Sequence, residues 1–368
     1  MSTSRGPTIV LVCVLLLLAV SALMVFSVTA VSGDGIFGSL TMVKKHILQM
    51  VAGLITFAIV VRIPLEKLKP LAPIFLILSF LSLIAVLLPG LGKTAGGAQR
   101  WFSIGPIRIQ PGEFAKLAVI FYMSTYIGRQ TAKMKLLIPG AVVPLGIVCL
   151  FGVLLLKQPD FGSTIIILTV VFLQLLLVSN LKHLLGLGAI ALAAIVGLVF
   201  LSPYRFKRFQ SFLNPLADPS ASGYQLVQSL IAVGSGGFTG LGIGAGKQKL
   251  FYLPAAHTDF IYAVICEELG ILGGGFILLL FGMIALVGYG AAIKFTDDHF
   301  RGSLLVGLTS LIVVPAVFNM GVVLGLLPTK GLVLPFVSYG GSAMMINLII
   351  LGLLIRVLRE GSEYTAPT

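Results

Sequence analysis

A carboxylate is most costly where water gives way to hydrocarbon, and Asp259 stands at such a boundary. The stretch Lys247 to Gly270, KQKLFYLPAAHTDFIYAVICEELG, sets His257, Thr258 and Asp259 directly against a long apolar run, with Lys247 and Lys249 before it and Glu267 and Glu268 after it. A carboxylate so placed can take a proton from a substrate hydroxyl, and the neighbouring lysines can attract an anionic ligand. The competing reading is structural: Thr258 or Asp259 caps a helix whose first amides lack partners.

Other chemistry-bearing residues lie between or just inside apolar runs. Glu113 and Lys116 follow Pro111, which suits a first helical turn, and share one helix face. They either neutralise one another or act directly, and both accounts put them against a polar cavity. Arg100, Arg108 and Trp101 fall in the glycine-containing loop Leu91 to Gln110, where the single tryptophan suits an interfacial anchor. Asp160, in KQPDFGST, reads as a cap unless Arg or Lys turn out to be its neighbours. Arg205 belongs to YRFKRF, a basic and aromatic alternation suited to lipid headgroups. Lys330 and Ser338 lie in broken polar backbone near the C-terminal end, which membrane depth tolerates only beside protein or a cavity.

These residues need a scaffold, and the composition names it. Of the 368 residues, 58% are hydrophobic and 10% charged, with a mean hydropathy of +1.09, so the chain is an all-α integral membrane protein. The apolar runs lack the alternation of barrel strands. About ten spans are expected, at 8–31, 44–62, 70–90, 111–129, 136–156, 161–180, 183–202, 260–290, 302–327 and 335–357, as one membrane domain over 1–368 with a long outer loop at about 203–259 between the seventh and eighth. The first run is too long for a signal peptide and reads as a retained span. A bare count of Lys and Arg does not orient the bundle; setting aside the long loop favours a cytoplasmic N-terminus. Cys13, Cys149 and Cys266 sit inside apolar runs as small packing residues without metal-ligand spacing. Seven glycines between Gly234 and Gly246 follow no expected strand and match no dinucleotide fingerprint, so a nucleotide site is disfavoured.

Taken in order, QPDFGST at 158–164, RFKRFQSFLNP at 205–215, YQLVQSLIAVGSGG at 224–237, HTDFIYAVICEELG at 257–270 and GLLPTKGLVLPFVSYGGS at 325–342 resemble the SEDS (shape, elongation, division and sporulation) family, over nearly the whole chain and in wording closer to its division branch. The resemblance implies ten transmembrane helices with both termini cytoplasmic, and polymerisation of lipid II into β-1,4 glycan strands outside the inner membrane. It implies that Asp259 is the essential aspartate, and that Glu113 and Lys116 are the charged pair of the fourth helix. The expected partners are lipid II, a cognate class B penicillin-binding transpeptidase, divisome proteins and membrane lipids, and no nucleic acid. Ala255 departs from the family, whose members often carry a glutamate there.

On this reading Asp259 is the base for the acceptor 4-hydroxyl, and the leaving diphosphate meets basic groups drawn from Arg100, Lys116, Arg205, Lys247, Lys249 and Lys330, with His257 and Ser338 in the same cavity. A divalent cation, Mg2+ or Mn2+, is compatible with a diphosphate site, although no acidic cluster marks one. The alternatives are an elongation- or sporulation-type polymerase, a lipid II flippase, and a scaffold that recruits a partner enzyme. A flippase more often shows repeats and midplane charges, whereas here the polar residues crowd one face.

Overall fold

A computed structural model describes residues 5–29, 35–95, 98–105, 107–217, 221–250 and 252–364. The helices, in chain order, are α1 (Gly6–Thr29), α2 (Gly35–Val60), α3 (Leu65–Ala85), α4 (Pro111–Gln130), α5 (Ile138–Lys157), α6 (Phe161–Leu176), α7 (Leu181–Phe200), α8 (Pro203–Leu213), α9 (Ala221–Gly236), α10 (Ile261–Ala292), α11 (His299–Val323) and α12 (Gly341–Tyr364). The end of the first expected span, at 30–31, falls outside the described residues.

Among the described residues, eight helices are long and apolar enough to cross a membrane. The other two expected spans, α4 and α6, do not meet that standard. α6 has 16 residues, and α4 carries Glu113 and Lys116 while burying most of its length in the bundle. A helix screened from lipid by its neighbours has no need of a continuous apolar surface. The last expected span starts late, at Gly341, because 335–340 is an irregular turn in which Phe336 takes a φ of 63°.

The bundle is organised around α4 and α11. In α11, 78% of the most apolar window is buried, against 6% in α7, so α11 is a central helix and α7 a lipid-facing one. One amide ties the centre together: Gln174 Nε2 of α6 donates to the Ile120 carbonyl (3.2 Å) and Ser124 Oγ (2.8 Å) of α4, and to the Ser303 carbonyl of α11 (3.1 Å). In a medium without water such shared donors replace solvation. Asp160, Asn180 and Asp298 cap α6, α7 and α11 by accepting from the amides of Ser163, Lys182 and Arg301.

No strand was expected, yet the connection from α3 to α4 forms a three-stranded antiparallel sheet, β1 (Lys93–Ala95), β2 (Ala98–Ile104) and β3 (Ile107–Ile109), in that order. The ladder gives partners to backbone groups that a membrane-edge loop would otherwise leave bare. It also places Arg100 on β2, facing the connection between α5 and α6.

The glycine-rich loop has a packing role. α10 is broken at Gly270, whose φ of 66° and ψ of −165° are non-helical. In an unbroken helix the carbonyls of Glu267 and Glu268 would pair with the amides of Ile271 and Leu272. Instead the carbonyls accept from Leu241 (3.0 Å) and Gly242 (3.0 Å), and the amides donate to Gly237 (2.9 Å) and Phe238 (3.3 Å). The loop is thus stitched into the break, and a side chain at position 270 would collide with Phe238 and Gly240.

The Glu268 carboxylate reinforces the same junction. It accepts from Lys249 Nζ (2.6 Å), Ser27 Oγ of α1 (2.8 Å) and the Gly244 amide (2.9 Å), with Lys249 and Glu268 both buried. Removing one member of a buried pair strands the other charge, at about 3–5 kcal/mol. Glu268→Ala is therefore expected to destabilise the protein by that amount, read as a lowered melting temperature in detergent. Lys249→Met should cost less, because Ser27 and Gly244 still serve the carboxylate; equal losses would contradict this account.

Candidate functional site

The chain reaches α10 through a tight turn centred on Ala255, which has a φ of 57° and whose carbonyl accepts from the amides of Thr258 (3.0 Å) and Phe260 (3.3 Å). The helix begins at Ile261 with Phe260 at its N-cap and no side-chain cap. Neither Thr258 nor Asp259 caps it, so the structural explanation of the aspartate fails. Asp259 is half-buried and its carboxylate lies against Gly331, which is exposed. A Cβ at position 331 would stand 2.6 Å from Oδ2, so only glycine leaves that face open.

Two loops are locked together to hold this arrangement. Asn319 Nδ2, from α11, donates to the backbone carbonyls of Asp259 (2.7 Å) and Leu332 (2.5 Å). Ser338 Oγ donates to the Thr258 carbonyl (2.6 Å) and accepts from the Leu334 amide (2.8 Å), and the Tyr339 amide donates to the His257 carbonyl (3.0 Å). Ser338 is buried in these bonds, so it is a fastener and not the ligand-facing residue expected. The His257 ring packs edge-on to Tyr339 at 5.8 Å, and burial lowers its pKa, favouring neutral imidazole.

Around the aspartate the charge is positive. Burial pushes Asp259 up to about 6 against the opposing pull of Arg208 and Arg100. Burial pushes Lys330 down to about 7; Asp160 opposes that shift, while Arg100, Arg208 and Arg205 add to it. Lys330 Nζ lies 4.7 Å and Arg205 Cζ 5.0 Å from the centre of the Phe161 ring. Arg100 donates to the carbonyls of Gln158 (2.8 Å) and Pro159 (2.6 Å), and Arg208 to that of Thr329 (3.3 Å). Asp160 keeps its capping role through Ser163 N (3.2 Å) and Oγ (2.7 Å) while also facing the Lys330 charge. The outcome is an acid of raised pKa in the field of Arg208 and Arg100, two cations that with Arg205 also act on Lys330, suited to taking up a proton next to a bound polyanion.

The structure brings Asp259, Arg100, Arg205 and Lys330 into one neighbourhood, with His257 and Ser338 behind it. Arg208 was missed, although it stands three residues after Arg205 and so on the same face of α8. Glu113 and Lys116 form a buried ion pair at 2.8 Å, on a small cavity shared with Asn347, Val333 and Pro335, and so under the turn that faces Asp259. Lys249 corrects the expectation: its ammonium is sealed against Glu268 and Ser27, because the glycine-rich loop folds back onto α10 and α1. Lys247 is exposed, and its amide donates to the Glu267 carboxylate (2.8 Å).

The donor set does not fit a protein-held divalent cation. Among the described residues no three His, Cys, Asp or Glu converge, and the two acids here are outnumbered by Arg100, Arg205, Arg208 and Lys330.

The sequence profile of the family described as "Cell cycle protein", which groups FtsW, RodA and SpoVE, matches residues 7–363. Stage V sporulation protein E of Bacillus subtilis is 38% identical over 363 residues, covering 98% of this chain and 99% of that protein. The probable peptidoglycan glycosyltransferase FtsW of Legionella pneumophila is 45% identical over 283 residues, covering 76% of this chain and 71% of its own length. Among solved structures, a chain from a peptidoglycan synthase complex that coordinates polymerization and crosslinking aligns with a TM-score of 0.76 at 28% identity, covering 95% of this chain and 97% of that one. The rod shape determining protein RodA of Thermus thermophilus aligns with a TM-score of 0.67 at 25% identity, covering 94% and 96%. With its profile, its relatives and its fold in agreement, the chain belongs to the FtsW, RodA and SpoVE family of cell cycle proteins.

Proposed function

We propose that this protein is a peptidoglycan glycosyltransferase that polymerises lipid II into β-1,4 glycan strands for septal wall synthesis. It works at the outer face of the inner membrane with both termini in the cytoplasm. The observation that carries the reading is the half-buried Asp259, pushed up to about 6 by burial and facing Arg208 and Arg100, which with Arg205 also surround Lys330. The names of the FtsW relatives support the activity, and the likeness to a chain from a synthase complex supports a crosslinking partner, a class B penicillin-binding transpeptidase within the divisome.

Asp259 accepts the proton of the acceptor 4-hydroxyl as that oxygen bonds to the donor's anomeric carbon. The bond from that carbon to the diphosphate oxygen breaks with inversion, and the diphosphate carries off the electron pair. A positioned base typically contributes about a hundred- to ten-thousand-fold. Partial burial serves the base twice: it raises proton affinity, yet a pKa near 6 leaves the carboxylate mostly ionised at neutral pH. Arg100, Arg205, Arg208 and Lys330 stabilise the departing charge without reorganising.

Asp259→Asn is expected to lower strand synthesis from purified lipid II by at least about a hundredfold while melting temperature and partner binding stay near wild type; continued polymerisation would remove Asp259 from the reaction. A second expectation concerns pH. For the free enzyme kcat/KM should rise as Asp259 loses its proton near pH 6 and fall as Lys330 loses its own near pH 7. Lys330→Arg should abolish the alkaline limb, since a guanidinium keeps its proton there. An alkaline limb unchanged in that variant would clear Lys330 of the role.

A further inference from the structure

We infer that Ser21 and His46, deep in α1 and α2, are positioning residues for Asp259, acting through the turn 334–339. The inference rests on the function proposed above. Ser21 Oγ donates to the Val337 carbonyl at 2.8 Å and contacts His46 Nε2 at 2.8 Å, and both residues are fully buried. A hydroxyl has one hydrogen, and Val337 takes it, so His46 must be the donor in the second bond. The pair therefore has a fixed direction: Nε2–H to Ser21, and Ser21 O–H to the turn. His46 Nδ1 is then left as a buried acceptor without a partner, a cost that a purely packing residue would not carry.

What the pair grips is the piece of backbone that grips the catalytic segment. The residue after Val337 is Ser338, bonded to the Thr258 carbonyl, and the next is Tyr339, bonded to the His257 carbonyl. Of three consecutive residues, the first is thus bound to the α1–α2 pair and the next two to the segment that carries Asp259. The rings repeat the pattern, with Tyr339 5.6 Å from His46 on one side and 5.8 Å from His257 on the other. Phe336, at the head of the triplet, holds a left-handed φ of 63°, a conformation that a bulky side chain adopts only when its surroundings enforce it. Asn319 fixes the segment directly from α11, and Ser21 with His46 fixes, from α1 and α2, the turn to which the segment is bonded. A base displaced by about 1 Å can lose up to about a hundredfold in rate, so the second anchor bears on turnover and not on substrate affinity.

The experiment compares Ser21→Ala, His46→Leu and His46→Gln in full-length protein, measuring lipid II polymerisation, melting temperature and amide exchange over 331–342. Glutamine keeps an N–H donor at the reach of Nε2. Expected are a loss of about tenfold or more in kcat for Ser21→Ala and His46→Leu with KM within about twofold, faster exchange in 331–342, and recovery of both readouts in His46→Gln. Wild-type kcat in Ser21→Ala, a rise in KM alone, unaltered exchange, or no recovery with glutamine overturns the inference. Failure of Ser21→Ala to fold, from the loss of one oxygen atom, would assign the pair to stability and overturn it as well. If the wild type itself makes no glycan, the proposed activity fails instead, and the exchange data still judge the anchor.

Discussion

One side-chain amide decides whether this molecule has a site at all. Asn319, in the most buried helix of the bundle, spends both hydrogens of its nitrogen on two carbonyls, those of Asp259 and Leu332, which belong to loops far apart in the chain. At membrane depth an irregular backbone is tolerated only when protein satisfies it. The two loops that face each other across Asp259 and Gly331 are thereby joined to a rigid element. Everything else about the site presupposes that junction.

The charges at the site follow from its shallow burial. Taking Asp259 partly out of water raises its proton affinity, and the arginines keep the shift moderate enough that the carboxylate survives at neutral pH. Lys330 experiences the converse, since burial and neighbouring cations together weaken its hold on its proton. An anion arriving between them would relieve the repulsion among Arg100, Arg205, Arg208 and Lys330. The cluster is therefore arranged for a ligand of high negative charge, while Glu113 with Lys116 and Lys249 with Glu268 are pairs already neutralised by their partners.

The broken helix α10 serves a different end. By opening its hydrogen-bond ladder at Gly270 it accepts the glycine-rich loop as a substitute partner, and the Glu268 carboxylate draws Lys249 and Ser27 into the same junction. The long segment between α7 and α10 is thus anchored two turns below Asp259 without entering the site. The density of glycine there reflects backbones in contact, not a cradle for phosphate.

Much of this was legible in advance, and the legible part is local. Hydropathy located eight of the ten expected spans because lipid demands apolar length, the three-residue spacing of Glu113 and Lys116 offered their pairing because a helical turn brings such residues together, and the position of Asp160 before a helix marked it as a cap. The prominence of Asp259 followed from the cost of a carboxylate at that depth. What the sequence could not determine was the partner of each remaining polar group. Lys249 looked available and is sealed; Ser338 looked ligand-facing and is a fastener; Asn319, Ser21 and His46 carry no motif or spacing that singles them out. Their bonds cross from 13 to more than three hundred positions of chain, and only the packed bundle brings those atoms within reach of one another.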